Sequence, residues 1–168
     1  MVDTEMRQKK IAIIYHSQSR GNTAAAADKV ADGVREHGEF EPELHNTNDG
    51  RVAPAVLSEC AAAAFGTPDY FSYPAGGMKM FIDDWLIAKR GGQEGLEGLP
   101  VALFVTHGGG MKAVEPFEYL FTKVGPQVGE TVSVAGAPAD EDADRCRELG
   151  RRLAEQAETF LREEGDDS

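Results

Sequence analysis

Short aliphatic runs recur along the chain at Ile11–Tyr15, Ala61–Phe65, Val101–Thr106 and Thr131–Ala135, with a weaker one at Glu41–Asn46. Segments with helical periodicity separate them. Thr23–His37 carries Ala27, Val30, Ala31 and Val34 on one face, and Pro74–Arg90 carries Met78, Phe81, Ile82, Trp85 and Ala88. Ala139–Leu161 lines up Cys146, Leu149, Leu153, Ala157 and Phe160, and Val52–Glu59 reads as a short helix. Continuous apolar strands are what burial on both faces selects, and strands that alternate with helices call for a parallel sheet covered on both sides. Pro74 suits a first helical turn and Gly91 a C-terminal cap. The order is β-α-β-α-β-α-β-α-β.

At 168 residues the chain fits a single domain over 1–168, with a core at about 10–162 between a short polar N-terminal tail and an acidic C-terminal one. A chain of this size buries about two-thirds of the surface its unfolded form exposes, so its core can be stable without staples. Cys60 and Cys146 have no second thiol or histidine at a ligand spacing, and they read as free, half-buried thiols, which suits a cytoplasmic location. No metal site is expected. No apolar run approaches the ~20 residues that a membrane span needs. Acidic residues outnumber basic ones 29 to 17, for a formal net charge of −12. That balance excludes nucleic acid as a natural partner, because binding it depends on neutralising phosphates with Lys and Arg. Gly91–Gly98 reads as a flexible connector within the domain.

In an open α/β sheet a ligand belongs at the carboxyl ends of the strands, near the point where strand order reverses. Three loops meet that condition. Ser17-Gln18-Ser19-Arg20-Gly21-Asn22-Thr23 follows the first strand and opens a helix, offering hydroxyl and amide donors and orphan backbone N–H groups to a small dianion. No lysine follows Gly21 as in a nucleotide triphosphate loop, so a monophosphate is the expected guest. Gly66-Thr67-Pro68-Asp69-Tyr70-Phe71-Ser72-Tyr73 places flat aromatic faces among turn-forming residues at the end of the third strand, where a polar heterocycle can stack. Thr106-His107-Gly108-Gly109-Gly110 allows close backbone approach to a flat ligand, with His107 able to bond a ring edge.

Ser17–Thr23, Gly66–Phe71 and the stretch Met78-Lys79-x-Phe81-Ile82-Asp83 together resemble the flavodoxin-like superfamily, including its WrbA-type quinone reductases and NAD(P)H-dependent FMN reductases. The resemblance runs from Lys10 to about Phe160. It implies a three-layer sandwich on a five-stranded parallel sheet in the order 2-1-3-4-5, with FMN as cofactor. Ser17, Gln18, Ser19, Arg20, Gly21, Asn22 and Thr23 would then surround the phosphate. Thr67, Pro68, Asp69, Tyr70 and Phe71 would line one side of the isoalloxazine, and Thr106, His107, Gly108, Gly109 and Gly110 the other.

Two departures stand out. Arg20 is an extra residue before the glycine of the phosphate loop, and the last strand is not split by the insertion of long-chain flavodoxins. The resemblance therefore carries two functions. One is an FMN oxidoreductase that takes electrons from NAD(P)H and passes them to a quinone or another small acceptor, with the flavin supplying the chemistry. The other is an electron carrier without its own substrate, docking redox partner proteins. A receiver-type signalling domain is excluded, since the first strand ends in Tyr15-His16 and the third in Gly66-Thr67 where acidic residues would be needed. The oligomeric state is left open, dimer and tetramer included.

Overall fold

The computed structural model describes Arg7 and residues 9–167. Its elements are β1 (Lys10–Tyr15), α1 (Asn22–His37), β2 (Glu41–Asn46), a 3-10 turn (Pro54–Glu59), β3 (Ala62–Tyr70), β4 (Tyr73–Pro74), α2 (Gly76–Arg90), β5 (Val101–His107), α3 (Val114–Phe121), β6 (Val132–Ala135) and α4 (Glu141–Asp166). The parallel strands run in the order β2-β1-β3-β5-β6. This corrects the expected count of five strands, because the two-residue β4 folds back antiparallel on β3, pairing Tyr73 with Tyr70 and Pro74 with Asp69. Without β4, the remaining order is the expected one.

Side chains along the central strands alternate between the two faces, as a pleated strand requires. Ile11, Ile13, Ala62, Ala64, Ala102 and Phe104 join α1 and α4 in one core. Ala12, Ile14, Ala63, Phe65, Leu103 and Val105 join α2 and α3 in the other. The alanines of β3 keep both helical layers close to the sheet.

Several expectations are corrected locally. Pro74 lies in β4, and α2 begins at Gly76, two residues later. The N–H of Gly91 does close the end of α2 on the Ile87 carbonyl, but the left-handed residue is Gly92, at φ 87°. The Gly91–Gly98 connector is pinned, not loose: the Trp85 indole donates to the Leu96 carbonyl at 2.8 Å, and the Leu96 side chain is buried. Both cysteines are fully buried, where exclusion of water pushes the thiols up to about 12 for Cys60 and about 11 for Cys146. Neither is a nucleophile near neutral pH.

The acidic run at the start of α4 sits in its first turn, where the helix dipole favours negative charge, and Asp142 and Asp144 pair with Arg145 and Arg147. At the other end α4 continues through Glu163 and Glu164. There the buried Arg7 guanidinium donates to the carbonyls of Leu57, Cys60 and Gly95. Its Nε lies 3.1 Å from Glu164 Oε2, an ion pair not aligned as a hydrogen bond.

Candidate functional site

The chain leaves β1 towards β2 on one side and β3 on the other, so the crevice at the carboxyl ends of β1 and β3 is a switch point. A cavity of about 660 Å³ opens there. Ser17, Gln18, Ser19, Arg20, Gly21, Asn22 and Thr23 line one end. Pro68, Asp69 and Tyr70 contribute from the end of β3, and Thr106, His107 and Gly108 from the end of β5.

The first loop is held by a small set of hydrogen bonds. The Gly21 N–H closes a turn on the Gln18 carbonyl at 3.0 Å, and Gly21 itself takes the left-handed conformation, φ 71°, at the N-cap of α1. That conformation strains any residue with a Cβ. Ser17 Oγ accepts the N–H of Ala24 at 3.1 Å and so caps the helix from seven residues away. Asn46, at the end of β2, grips the buried Ser17 from both sides: Oδ1 accepts its N–H and Nδ2 donates to its carbonyl, each at 3.0 Å. What remains are the backbone N–H groups of Ser19, Arg20, Asn22 and Thr23, which have no partner among the described residues. Arg20 also has no ion-pair partner among them.

Thr23 does not present a free hydroxyl. Its Oγ1 lies 2.7 Å from Thr106 Oγ1, with both side chains buried. Either can be the donor, and whichever accepts keeps its own proton for a ligand. This bond ties the first loop to the end of β5.

Thr67, Phe71, Gly109 and Gly110 do not line the cavity, in contrast to the sequence expectation. Thr67 is fully buried, and its hydroxyl is a strut, donating to the Pro68 carbonyl and accepting the Ala75 N–H. Phe71 is fully exposed at the tip of the β3–β4 hairpin, where it and Ser72 have φ of 55° and 64°. Positive φ at both central residues is the signature of a type I′ turn, which aims Phe71 outward. Gly109 turns back, its N–H donating to His107 Nδ1 at 3.1 Å. The Tyr70 hydroxyl donates to Gln18 Oε1 at 3.2 Å, joining the second loop to the first.

Ala135 and Gly136 line the cavity without having been anticipated. They sit at the end of β6, and the Gly136 N–H donates to the His107 carbonyl at 2.9 Å. Nothing in their local sequence marks them; only the strand order brings them there. Among the described residues no group of acidic, histidine and cysteine side chains could hold a metal, and no helix is long and apolar enough to cross a membrane.

His16 sits just behind the first loop, buried, with Nδ1 2.8 Å from Thr47 Oγ1 and its ring edge-on to Tyr70. Burial disfavours the imidazolium and lowers the folded-state pKa below the ordinary value. A histidine with a depressed folded pKa contributes stability that is complete above its unfolded pKa, ~6.5, and is lost as the pH falls towards the folded value. The thermal midpoint should therefore drop as the pH falls from about 7 to about 5.5. His16→Asn, which retains a polar atom near Nδ1, should remove that component of the drop. Parallel midpoint-versus-pH curves for the two proteins would contradict it.

No family model matches the chain. It is 28% identical to a flavodoxin of Aquifex aeolicus over 167 residues, covering 90% of this chain and 89% of that protein. It is 29% identical to an NAD(P)H dehydrogenase (quinone) of Archaeoglobus fulgidus over 192 residues, covering 89% of this chain and 97% of that one. Among solved structures, a flavodoxin from the domain Archaea superposes with a TM-score of 0.75 at 24% identity, covering 89% of this chain and 99% of the other. The last likeness concerns the fold. Taken with the strand order and the crevice at β1 and β3, these findings show that the chain has a flavodoxin-like fold and is similar in sequence both to a flavodoxin and to a quinone dehydrogenase.

Proposed function

We propose that the cavity binds FMN and that the protein passes electrons from NAD(P)H through it to a quinone or another small acceptor. The observation that carries this reading is the pairing of two unlike ends in one cavity. One end gathers the N–H groups of Ser19, Arg20, Asn22 and Thr23 at the start of α1, which, like the Arg20 guanidinium, have no partner among the described residues. Such a set suits a phosphate dianion. The other end lies between Pro68-Asp69-Tyr70 and Thr106-His107-Gly108. The volume falls within the ordinary range for small-molecule sites, roughly 300–1,000 Å³.

When bound, FMN would supply the redox chemistry. The chain's own part is to hold the ring and leave one side approachable. Gly108 contributes no side chain, and a Cβ placed on it would meet nothing within 4 Å. Open space on that side gives a nicotinamide or a quinone room to lie against the ring, which reduction by a nicotinamide requires and outer-sphere electron relay does not. Tyr70 and His107 border this opening.

The carrier reading is favoured by one observation, the likeness to the Aquifex flavodoxin along nine-tenths of both chains. Anaerobic stopped-flow mixing of the FMN-loaded protein with NADH and with NADPH separates the two. Bleaching of the flavin within seconds by either nucleotide is the expected result, with Tyr70→Ala and His107→Ala changing the rate more than the FMN affinity. If neither nucleotide bleaches it while a separate reductase does, the carrier reading replaces ours. A protein that takes up no FMN overturns both.

A further inference from the structure

Asp69 is the penultimate residue of β3, and its carboxylate leaves the strand to serve two loops at once. Oδ1 accepts the backbone N–H of Ser72 at 2.8 Å, within the hairpin. Oδ2 accepts the backbone N–H of Ala113 at 3.1 Å, across 44 residues of sequence, where the glycine loop enters α3. The same side chain lines the cavity.

The other bonds of these two loops run within one loop or to a third element: Tyr70 pairs with Tyr73 and bonds Gln18, and the His107 carbonyl accepts the Gly136 N–H. The hairpin turn consists of Phe71 and Ser72, both left-handed without being glycine, a strained conformation that persists only where its surroundings impose it. Tyr70, Phe71 and Tyr73 are all exposed, so apolar burial does not fix the turn. In the facing loop Gly108, Gly109 and Gly110 are exposed and bring no side chains, and Met111 is exposed too. The first ordered anchor after them is Ala113, fully buried at the start of α3. Hydrogen bonds to an ionised acceptor are about twice as strong as neutral ones. A carboxylate bonded to one N–H on each side is therefore a charge-assisted link between these two walls, beside the packing of β4 on α3.

We propose that Asp69 is a positioning residue: by clasping Ser72 and Ala113 it sets the gap between the hairpin and the glycine loop, and with it the hold on the ring end of the ligand. The proposal rests on the FMN reading of the cavity for the identity of that ligand, but the clasp itself does not. A residue of this kind acts on the ring and not on the phosphate. Its loss should weaken FMN and riboflavin by the same factor, unlike any change in the Ser17–Thr23 loop.

The test is Asp69→Asn, which preserves size and leaves one acceptor oxygen facing two N–H donors, with Asp69→Ala as the stronger variant. Amide hydrogen exchange of the apoprotein is measured alongside titrations with FMN and with riboflavin. In Asp69→Ala both the Ser72 and the Ala113 amides, and in Asp69→Asn at least one of them, should exchange at least about tenfold faster, the rate expected when a charge-assisted bond is removed, while the Ala75 amide, bonded to Thr67, keeps its rate. FMN and riboflavin affinities should fall together, by about tenfold or more. Unchanged exchange at both Ser72 and Ala113 overturns the clasp, and so does a loss confined to FMN. If Asp69→Ala fails to fold, Asp69→Asn decides alone. If the wild-type protein binds neither flavin, the FMN reading fails while the exchange result still stands for or against the clasp.

Discussion

Gly150→Val should cost the protein most of its stability, and Gly150→Ala a large part of it. A Cβ at Gly150 would lie 2.1 Å from the Val30 carbonyl oxygen and 3.0 Å from the Val34 nitrogen. At Gly33, on the facing helix, it would lie 1.9 Å from the Arg147 carbonyl oxygen. These are backbone atoms, which cannot swing aside as the end of a side chain does. Relief requires α1 and α4 to separate, opening the core in which Val30 and Val34 pack with Cys146, Leu149 and Leu153. Overpacking of a tight site costs typically ~1–3 kcal/mol and more where the backbone must move. We expect about 3 kcal/mol or more for alanine, against a total stability of roughly 5–15 kcal/mol for a domain. The melting midpoint should fall by about 10 °C. Gly165→Ala, on the same helix, is the control, since a Cβ there meets nothing within 4 Å. Chemical denaturation that finds Gly150→Ala within about 1 kcal/mol of wild type would show that the two helices do not approach this closely.

The close approach of α1 and α4 was only half legible in the sequence. The apolar stripes Ala27, Val30, Ala31, Val34 and Cys146, Leu149, Leu153, Ala157 were readable, and they are buried as that pattern demands. The two glycines that let the stripes meet were not. A glycine inside a helix lowers helix propensity wherever it occurs, and only the partner's position distinguishes a defect from a contact. The central strands were readable for the opposite reason. Burial on both faces leaves no polar residue inside Ile11–Ile14 or Val101–Val105, and such runs carry their own boundaries.

The error at Pro74 came from a turn with no local signal. Type I′ hairpins are announced by Asn-Gly or Asp-Gly, whereas here Phe71-Ser72 occupies the turn. What stabilises it is a carboxylate from Asp69, outside the turn, bonded to Ser72 inside it. From the sequence alone β3 ends at Phe65, and Pro74 falls into a first helical turn. In fact β3 continues through Pro68, paired with Thr106, before reversing into β4. The candidate site follows the same division. The loop Ser17–Thr23 announces itself through its composition, while Ala135, Gly136 and Asn46 reach the site only because β6 and β2 end beside it.

Asn46 is the missed residue with the largest expected effect. Its amide makes three bonds: it accepts the N–H groups of Ser17 and Asn48 and donates to the Ser17 carbonyl, all at 3.0 Å. Asn46→Ala strands both backbone groups of Ser17, which is buried and supplies the cap on Ala24. Each buried polar group left unpaired costs about 1–3 kcal/mol, and the loop can recover that cost only by moving its backbone towards water. Such a move displaces the partner-free N–H groups of Ser19, Arg20, Asn22 and Thr23, which are what a phosphate would recognise. FMN affinity should fall by about 100-fold, equivalent to ~2.7 kcal/mol, and riboflavin affinity by less than about threefold. Asn46→Asp should be no milder for FMN, because its carboxylate faces the Ser17 carbonyl and adds negative charge beside the phosphate end. Fluorescence titration of each apoprotein with both flavins measures the two losses separately. Equal losses for FMN and riboflavin would mean that Asn46 supports the domain as a whole and that the Ser17–Thr23 loop is not where the phosphate binds.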